Sequence, residues 1–206
     1  MIDAQEMERK RIAADLHDSV GQMLSLSKLH MSEISEVIAA DLPSEKDTAE
    51  NAMRLIDEAC QEVRNISHNL MPGALIKLGL VPAVRELIRK AGHSKTIRFN
   101  FSSDLDEKRL DEKVEISLYR IVQEIISNIL KHANASEVTI TIKNAEENSI
   151  QLNISDNGNG FDTAILDSVT GIGWKNIYSR LAMMNGKMNI QSQLNSGTSI
   201  TIRIFL

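Results

Sequence analysis

The spacing of apolar residues changes along this chain, and the change falls near Pro72. Before Pro72, apolar residues recur at alternating intervals of three and four residues, which is the pattern of long amphipathic helices. After Pro72, shorter helical stretches are mixed with segments in which apolar and polar residues alternate, as they do in β-strands. A chain of 206 residues with two such patterns is expected to fold as two small domains, residues 1–72 and 73–206.

The first part is expected to form two long helices, residues 2–42 and 45–71, joined by a short turn at Pro43 and Ser44. An antiparallel hairpin alone is too thin to bury their apolar stripes, so we expect a homodimer in which two hairpins form a four-helix bundle. The positions in heptad spacing are Ala13, His17, Val20, Leu24, Ser27, Met31, Ile34 and Ile38 in the first helix, and Met53, Ile56, Cys60, Val63, Ser67 and Leu70 in the second.

The second part mixes helices and strands in an order that favours a two-layer α/β sandwich with a largely antiparallel sheet. The predicted helices are residues 82–91, 111–133 and 174–184. The predicted strands include residues 96–101, 138–142, 150–154, 188–190 and 200–204. The fold class predicted for the whole chain is therefore α + α/β, a dimerising helical hairpin followed by the sandwich.

Charge and cysteine content narrow the classes of partner and compartment. With 23 Lys and Arg against 28 Asp and Glu, the net charge is −5, which argues against nucleic acid as a partner. No apolar run is long enough to span a bilayer, so we expect no direct membrane insertion by this segment. The single cysteine, Cys60, excludes an intramolecular disulfide and fits a reducing compartment. A cytoplasmic location is expected, and any membrane anchor would belong to a longer parent protein.

The first group of residues with chemical potential lies on the first helix. His17 occupies a heptad position, where an aliphatic residue would pack better than a partly desolvated imidazole. The neighbouring Asp18 can orient and polarise the ring, and Gln22 lies one turn beyond Asp18 on the same face. Taken alone, the histidine is better explained as a solvated residue at the edge of a bundle.

The second group lies on the helix predicted for residues 111–133. Glu124, Asn128 and Lys131 are spaced so that they share the face opposite the main apolar stripe. Mg²⁺ prefers oxygen ligands and bridges phosphates, and Lys binds phosphate as a point charge. This row therefore suits a metal–triphosphate ligand, although, taken alone, it is better explained as the ordinary solvated side of an amphipathic helix.

Three glycine-containing segments complete the set. Asp156-Asn157-Gly158-Asn159-Gly160 follows an apolar strand, where the aspartate can accept a hydrogen bond from an exocyclic amine. Gly171 and Gly173 precede a helix and can turn backbone N–H groups toward an anion. Gly197-Thr198 opens the last strand. Each segment alone is also ordinary turn chemistry.

In order and spacing, these five segments resemble the histidine kinases of two-component signalling, over essentially the whole chain. The resemblance is to the branch with a His-Asp-x-x-x-Gln motif, the nitrate/nitrite-sensor-like or HisKA_3 type. Residues 124–133 match the N box, 156–161 the G1 box and 171–173 the G2 box of its Bergerat-fold (GHKL) ATP-binding domain. That fold binds ATP without a P-loop, and the chain contains no Gly-x-x-x-x-Gly-Lys-Ser/Thr.

The resemblance implies a role for each residue of the first motif. By similarity, His17 would attack the γ-phosphorus of ATP, and Asp18 would accept or orient its proton. Gln22 would position the water that hydrolyses the phospho-aspartate of a partner, which is a phosphatase activity. The chain would then be the cytoplasmic transmitter core of a sensor histidine kinase, passing phosphate to an Asp in the receiver domain of a response regulator.

The resemblance also implies how ATP and Mg²⁺ would be held. Asn128 would ligate Mg²⁺, with Glu124 as a supporting group at the metal or at its water. Lys131 and His132 would contact phosphates, and Asp156 would hydrogen-bond the adenine amino group, assisted through water by Thr198. The glycines that would shape the lid and the phosphate cradle are Gly158, Gly160, Gly171 and Gly173.

Two departures and one linker complete the comparison with the family pattern. The segment between Phe161 and Gly171 is short, so a small lid over the nucleotide is expected. Trp174 stands where a smaller aliphatic residue is usual, and its role stays open. Residues 69–80, with Pro72 and Gly73, are expected to be a hinge.

Other classes of protein share this ATP-binding fold. A hydrolytic ATPase of the GHKL type would lack the phosphoacceptor histidine on a dimerising hairpin, so residues 13–24 discriminate against that alternative. A non-catalytic nucleotide-binding dimer would be expected to have lost His17, Asn128 or the glycines. The sequence leaves open the stimulus, the cognate regulator, the balance of kinase and phosphatase activity, and whether transfer runs within or between protomers.

Overall fold

The structure, a computed structural model, describes residues 2–93, 97–105, 109–163 and 172–206. The contacts of the chain divide it into two compact units, one formed by residues up to Gly73 and one by residues from Ala74. Each unit is described below by itself.

The first unit is a helical hairpin, and its first arm is α-helical except for one π turn. Leu42 leaves helical geometry, and a single 3-10 turn that begins at Pro43 reverses the chain. Proline suits that place because a backbone N–H at the first residue of a helical turn would have no hydrogen-bond partner within the turn, so its absence in proline costs nothing there. The elements are α1 (Ile2–Asp15), a π turn (Leu16–Val20), α2 (Gly21–Asp41), the 3-10 turn (Pro43–Glu45) and α3 (Lys46–Leu70).

Small side chains and one ion pair hold the two arms of the hairpin together. Ala13, Ala49 and Cys60 are buried. The Ser67 hydroxyl donates to the Ala13 carbonyl at 3.1 Å, and Lys28 Nζ lies 2.6 Å from an Asp57 carboxylate oxygen. Many large apolar side chains remain exposed. We call one set of these exposed side chains on α2 and α3 the open face, defined as Met23, Leu26, Ile34, Val37, Leu55 and Ile66.

The second unit is a five-stranded sheet with helices packed against it. The strand order is β1-β2-β3-β5-β4, in which β1 and β2 are parallel and every other neighbouring pair is antiparallel. The elements from Gly73 onward are α4 (Gly73–Leu78), α5 (Leu80–His93), β1 (Arg98–Ser103), α6 (Glu112–Asn128), a π turn (Ile129–Ala133), β2 (Glu137–Ala145), β3 (Ser149–Asp156), α7 (Ile172–Met183), β4 (Lys187–Ser192) and β5 (Thr198–Phe205).

Alternation along the strands builds the core of this unit. On β2, β3 and β5 every second residue is buried, and these side chains share one core with the apolar stripe of α6. Burying an isoleucine completely is worth about 1.5–3 kcal/mol, so this layer dominates the stability of the unit. The fully buried large side chains are Leu118, Ile121, Ile125, Ile126, Ile140, Ile142, Ile150, Leu152, Ile154, Ile177, Ile202 and Ile204.

The start of α6 follows from local chemistry. Asp111 is its N-cap, and the aspartate side chain accepts a hydrogen bond from the Lys113 N–H at 2.9 Å. Before it, the guanidinium of Arg109 donates two-pronged hydrogen bonds to the buried carboxylate of Glu115, which also accepts from the Leu110 N–H. This pair ties the loop before α6 to the helix.

The segment expected to be a hinge is instead largely helical. Pro72 and Gly73 end α3 as predicted, but Gly73 also begins α4, and α5 begins two residues after α4 ends. Leu75 and Leu80 are buried. Pro72 and Gly73 indicate the end of one helix, and such an end can stand directly before the start of another helix.

Within the residues that the structure describes, no helix is both long enough and apolar enough to cross a membrane.

Candidate functional site

A cavity of about 360 Å³ opens in the second unit, between α6, the end of β3, the start of α7 and the start of β5. Its floor is apolar and includes Ile125, Ile129 and Ile200. Residues that the sequence analysis singled out from four separate segments meet around it. They are Glu124, Asn128, His132, Asp156, Gly160, Gly173 and Thr198.

The C-terminal end of α6 forms one wall of the cavity. Glu124 and Asn128 lie one turn apart on it, and the helix then widens into the π turn, which ends at Asn134 in the left-handed conformation with φ of 49°. A π turn advances less around the axis per residue than an α-helix does, because its hydrogen bonds close over five residues. The row that begins with Glu124 and Asn128 therefore continues at His132. Lys131 is exposed and does not line the cavity.

Asp156 ends β3 at the bottom of the cavity. Its Oδ1 accepts a hydrogen bond from the Gly158 N–H at 2.8 Å. Burial raises the pKa of this carboxyl group, and hydrogen bonds from the backbone of Gly158 and Thr198 partly oppose the rise. A carboxylate has about four lone-pair sites, so Asp156 can accept a further hydrogen bond from a ligand beside those from the backbone of Gly158 and Thr198.

The loop after Asp156 is fixed at both ends. The Asn157 side-chain oxygen accepts from the backbone N–H groups of Ser136 and Glu137 at 3.0 and 2.9 Å, and the Asn159 N–H donates to the Ala133 carbonyl at 2.7 Å. Gly158 is buried between these contacts.

Gly160 has a φ of 57°, and a Cβ atom there would overlap the Gln193 carbonyl oxygen. Only glycine meets both conditions without strain.

The start of α7 approaches α6 closely at Gly173. A Cβ atom at that position would overlap the carboxylate of Glu124, so glycine lets the helix begin directly against this side chain. Trp174 follows and lines the cavity, with its ring centroid 6.3 Å from that of Phe161 and the ring planes tilted by 52°. The two rings form an aromatic wall. Gly171, and most of the expected lid, lie outside the described residues.

Ser192 is a site residue that sequence reasoning missed. Its hydroxyl oxygen accepts from the Phe161 N–H at 2.9 Å, donates to the Gly197 carbonyl at 3.1 Å and lies 2.9 Å from the Thr198 hydroxyl. It thus joins the aromatic wall to Thr198. No motif marks this serine, because only the pairing of β4 with β5 sets it opposite Thr198.

His17 lies in the first unit, in the π turn between α1 and α2, where no residue is buried. Its side chain is exposed and lines a groove of about 510 Å³ between the two arms of the hairpin. Gln22 lines the same groove, while Asp18 is exposed beside it and does not. We call this the histidine groove. It is further lined by Gly21, Ser25, Leu26, Leu29, Cys60, Val63, Arg64 and Ser67.

Among the described residues, no cluster of three or more His, Cys, Asp or Glu side chains could hold a metal ion by itself. Glu124 and Asn128 place one carboxylate and one amide oxygen at the cavity. This donor set fits Mg²⁺, which commonly takes one or two protein oxygens and completes its shell with water and phosphate.

Two family models match the chain in order. Residues 8–75 match a model described as histidine kinase, HisKA_3. Residues 113–206 match a model described as histidine kinase-, DNA gyrase B-, and HSP90-like ATPase.

Similar proteins agree with these matches. The oxygen sensor histidine kinase NreB of Staphylococcus carnosus is 32% identical over 203 residues, which cover 98% of this chain and 58% of that protein. The chain thus spans somewhat more than half the length of this relative.

Among solved structures, the histidine kinase domain of a blue-light activated kinase from Erythrobacter litoralis, EL346, matches with a TM-score of 0.57 at 15% identity, over 98% of this chain and 94% of that one. Full-length ShkA in complex with AMPPNP matches with a TM-score of 0.51 at 17% identity, over 89% of this chain and 45% of that one. Likeness at these identities concerns the fold alone, and it confirms the predicted class of a helical region followed by a mixed α/β sheet.

Proposed function

The chain belongs to the histidine kinase family, in its HisKA_3 branch, and on that premise we propose that it is the transmitter core of a sensor histidine kinase. It would use ATP to phosphorylate His17 and would pass the phosphoryl group to an Asp of a response regulator receiver domain. The observation that carries the proposal is the convergence of four sequence segments on one cavity in the second unit. We assign residues 1–72 to dimerisation and phosphotransfer, and residues 73–206 to ATP binding and catalysis.

ATP would bind in the cavity with its base toward Asp156. The carboxylate of Asp156 would accept a hydrogen bond from the adenine amino group, and Thr198 would assist through water. The apolar floor and Trp174 would cover the faces of the base. Gly158, Gly160, Gly171 and Gly173 would shape the lid and the phosphate cradle.

The triphosphate would then extend along α6. Asn128 would ligate Mg²⁺, with Glu124 as a second oxygen at the metal or its water. The metal would neutralise the phosphate oxygens during transfer. His132, which lines the cavity, would contact the phosphates directly, whereas Lys131 would attract them from outside the lining.

Phosphoryl transfer would begin when an imidazole nitrogen of His17 forms a bond to the γ-phosphorus. The bond from that phosphorus to the bridging oxygen breaks, and ADP leaves with its electron pair. Asp18 would accept or orient the imidazole proton. In a separate reaction, Gln22 would position the water that hydrolyses the regulator's phospho-aspartate. The chain would then have a phosphatase activity as well.

The open face supports a homodimer. Six large apolar side chains stand exposed on α2 and α3, and a second copy of the hairpin would bury them as a four-helix bundle. The requirement for ATP and for a receiver domain favours a cytoplasmic location.

The test is labelling of the full chain with γ-labelled ATP and Mg²⁺, comparing wild type with His17→Gln. We expect acid-labile, alkali-stable label on the wild type and none on the variant. His30→Gln is the matched control, since His30 is an exposed histidine further along the same arm and should leave labelling unchanged. Label that survives His17→Gln would overturn the assignment of His17. Nucleotide binding or ADP release without any label would favour the non-catalytic or hydrolytic alternative.

A further inference from the structure

The histidine groove contains one cation that the proposed function does not use. Arg64 lies on α3 and lines this groove together with His17 and Gln22. In the described residues of the first unit, each of the other six lysines and arginines has a hydrogen-bonding or electrostatic partner. Arg54, for example, is paired with Glu58 and Asn51 on the same helix. Arg64 makes no such contact with any residue that the structure describes.

The rest of the groove lining is complementary to an anion. Among the residues that the structure describes, no carboxylate lines it. Its two serine hydroxyls are already used as donors, Ser25 to the Gly21 carbonyl at 2.8 Å and Ser67 to the Ala13 carbonyl at 3.1 Å. Apart from the Cys60 thiol, which is a weak donor, the side-chain donors left to face a ligand are therefore those of His17, Gln22 and Arg64. A guanidinium presents several N–H donors in a planar fork that matches the oxygens of a phosphoryl group.

We propose that Arg64 binds the phosphoryl group carried by His17, through charge-assisted hydrogen bonds to its non-bridging oxygens. This rests on the proposed function and adds to it a second protein group at the reacting phosphorus. The phosphoryl oxygens stay negatively charged when the N–P bond forms and ADP departs. They stay so when an aspartate oxygen of the regulator forms its bond to phosphorus and the N–P electron pair returns to the imidazole. Arg64 would stabilise the negative charge of the phosphoryl oxygens in both steps, the transfer from ATP to His17 and the transfer from His17 to the regulator.

The placement of Arg64 in the same groove as His17 supports this role. The groove brings an unpaired cation from α3 to the same hollow as the imidazole on the other arm. Charge-assisted hydrogen bonds of this kind change a rate by about 10- to 100-fold when one is lost.

The experiment follows phosphohistidine in the full chain with Arg64→Ala, Arg64→Lys and, as the matched control, Arg54→Ala. We expect the rate of labelling from γ-labelled ATP to fall about 10- to 100-fold in Arg64→Ala. A partial recovery is expected in Arg64→Lys, which keeps the charge but lacks the fork. ATP affinity should stay the same in all variants, and Arg54→Ala should label normally. The ³¹P resonance of the phosphohistidine should also shift in Arg64→Lys, which a purely structural role of Arg64 would not cause.

The outcomes separate this proposal from the proposed function. Absence of label from the wild type would overturn both. Normal labelling of the wild type and of Arg64→Ala, with an unchanged ³¹P resonance, would overturn the role of Arg64 alone. Should Arg64→Ala not assemble, as judged by circular dichroism and molar mass, the rate and resonance of Arg64→Lys decide, because that variant keeps a long cationic side chain on the helix.

Discussion

Asp156 shows a conflict between stability and ligand recognition at a single residue. Its carboxyl group is half-buried at the end of β3 and donates nothing, so it suits a ligand that offers an amine hydrogen. Burial also raises its pKa, because the charged form is less well solvated in the fold than in the unfolded chain. The folded chain therefore holds this proton to higher pH than the unfolded chain does.

We predict that Asp156→Asn raises the free energy of unfolding at pH 7 while it weakens nucleotide binding. Stability of the wild type should fall as pH rises from the ordinary aspartate value of 3.8 through the raised value, and the variant should lack this fall. The amide keeps an oxygen for the Gly158 N–H but turns an NH₂ toward the adenine amine, so affinity should drop about 10-fold or more. Urea unfolding between pH 3 and 8 and calorimetric titration with a non-hydrolysable ATP analogue measure the two effects.

Asp111→Asn is the matched control, because asparagine caps a helix as well as aspartate does and this residue lies away from the cavity. This variant should change neither the free energy of unfolding nor the affinity for nucleotide appreciably. An Asp156→Asn variant that binds nucleotide as tightly as the wild type would contradict the assignment of the adenine site.

At the scale of elements, the π turn after α6 decides which side chains reach the cavity. The sequence predicts an uninterrupted α-helix over residues 111–133, in which Lys131 would follow Glu124 and Asn128 on one face. The structure widens the helix after Asn128 and brings His132 into the lining instead.

We therefore predict that His132→Ala weakens nucleotide binding more than Lys131→Ala does. The loss should be about fivefold or more for the histidine, which we propose to contact the phosphates, and under about twofold for the lysine, whose exposed charge would act through solvent. Titration of each variant with the same ATP analogue at fixed salt gives the comparison. The reverse order of affinities would mean that the helix continues without the π turn when nucleotide is bound.

These elements also show what could be predicted from the sequence. The long helices and β2, β3 and β5 follow from strong periodicity, and the fold class was predicted correctly for that reason. The π turns have no pattern of their own, so the sequence treats Leu16–Val20 and Ile129–Ala133 as ordinary helix. The short helix α4 was missed because Pro72 and Gly73 indicate a break. Ser192 was missed because pairing between strands, rather than distance along the chain, sets it beside Thr198.

At the scale of the whole molecule, the open face of the hairpin is the feature that most constrains assembly. Val37 is 59% exposed on α2, in line with other large apolar residues of that face. Several large apolar side chains exposed on a small helical unit are expected to be covered by another protein surface.

We predict that Val37→Asp converts the dimer to a monomer at micromolar concentration. Burying a carboxylate between two apolar helices without a partner should weaken association on the order of a hundredfold. Light scattering coupled to size-exclusion chromatography measures the molar mass. Leu194→Asp is the control, since Leu194 is 65% exposed in the turn between β4 and β5 of the second unit and should leave the mass unchanged. A wild type that is itself monomeric at this concentration would contradict the dimer.

The position of β5 governs how this chain can be made in the cell. It is the fifth strand along the chain, yet it lies between β3 and β4 and carries Thr198 into the cavity. On a translating ribosome the hairpin can collapse as soon as it emerges, whereas β3 must wait with an unpaired edge until residues near 205 leave the exit tunnel. Nascent chains of this protein would therefore display His17, the proposed phosphoacceptor, before they possess the cavity proposed to bind ATP, and chaperones that shield strand edges would act on the second unit during that interval.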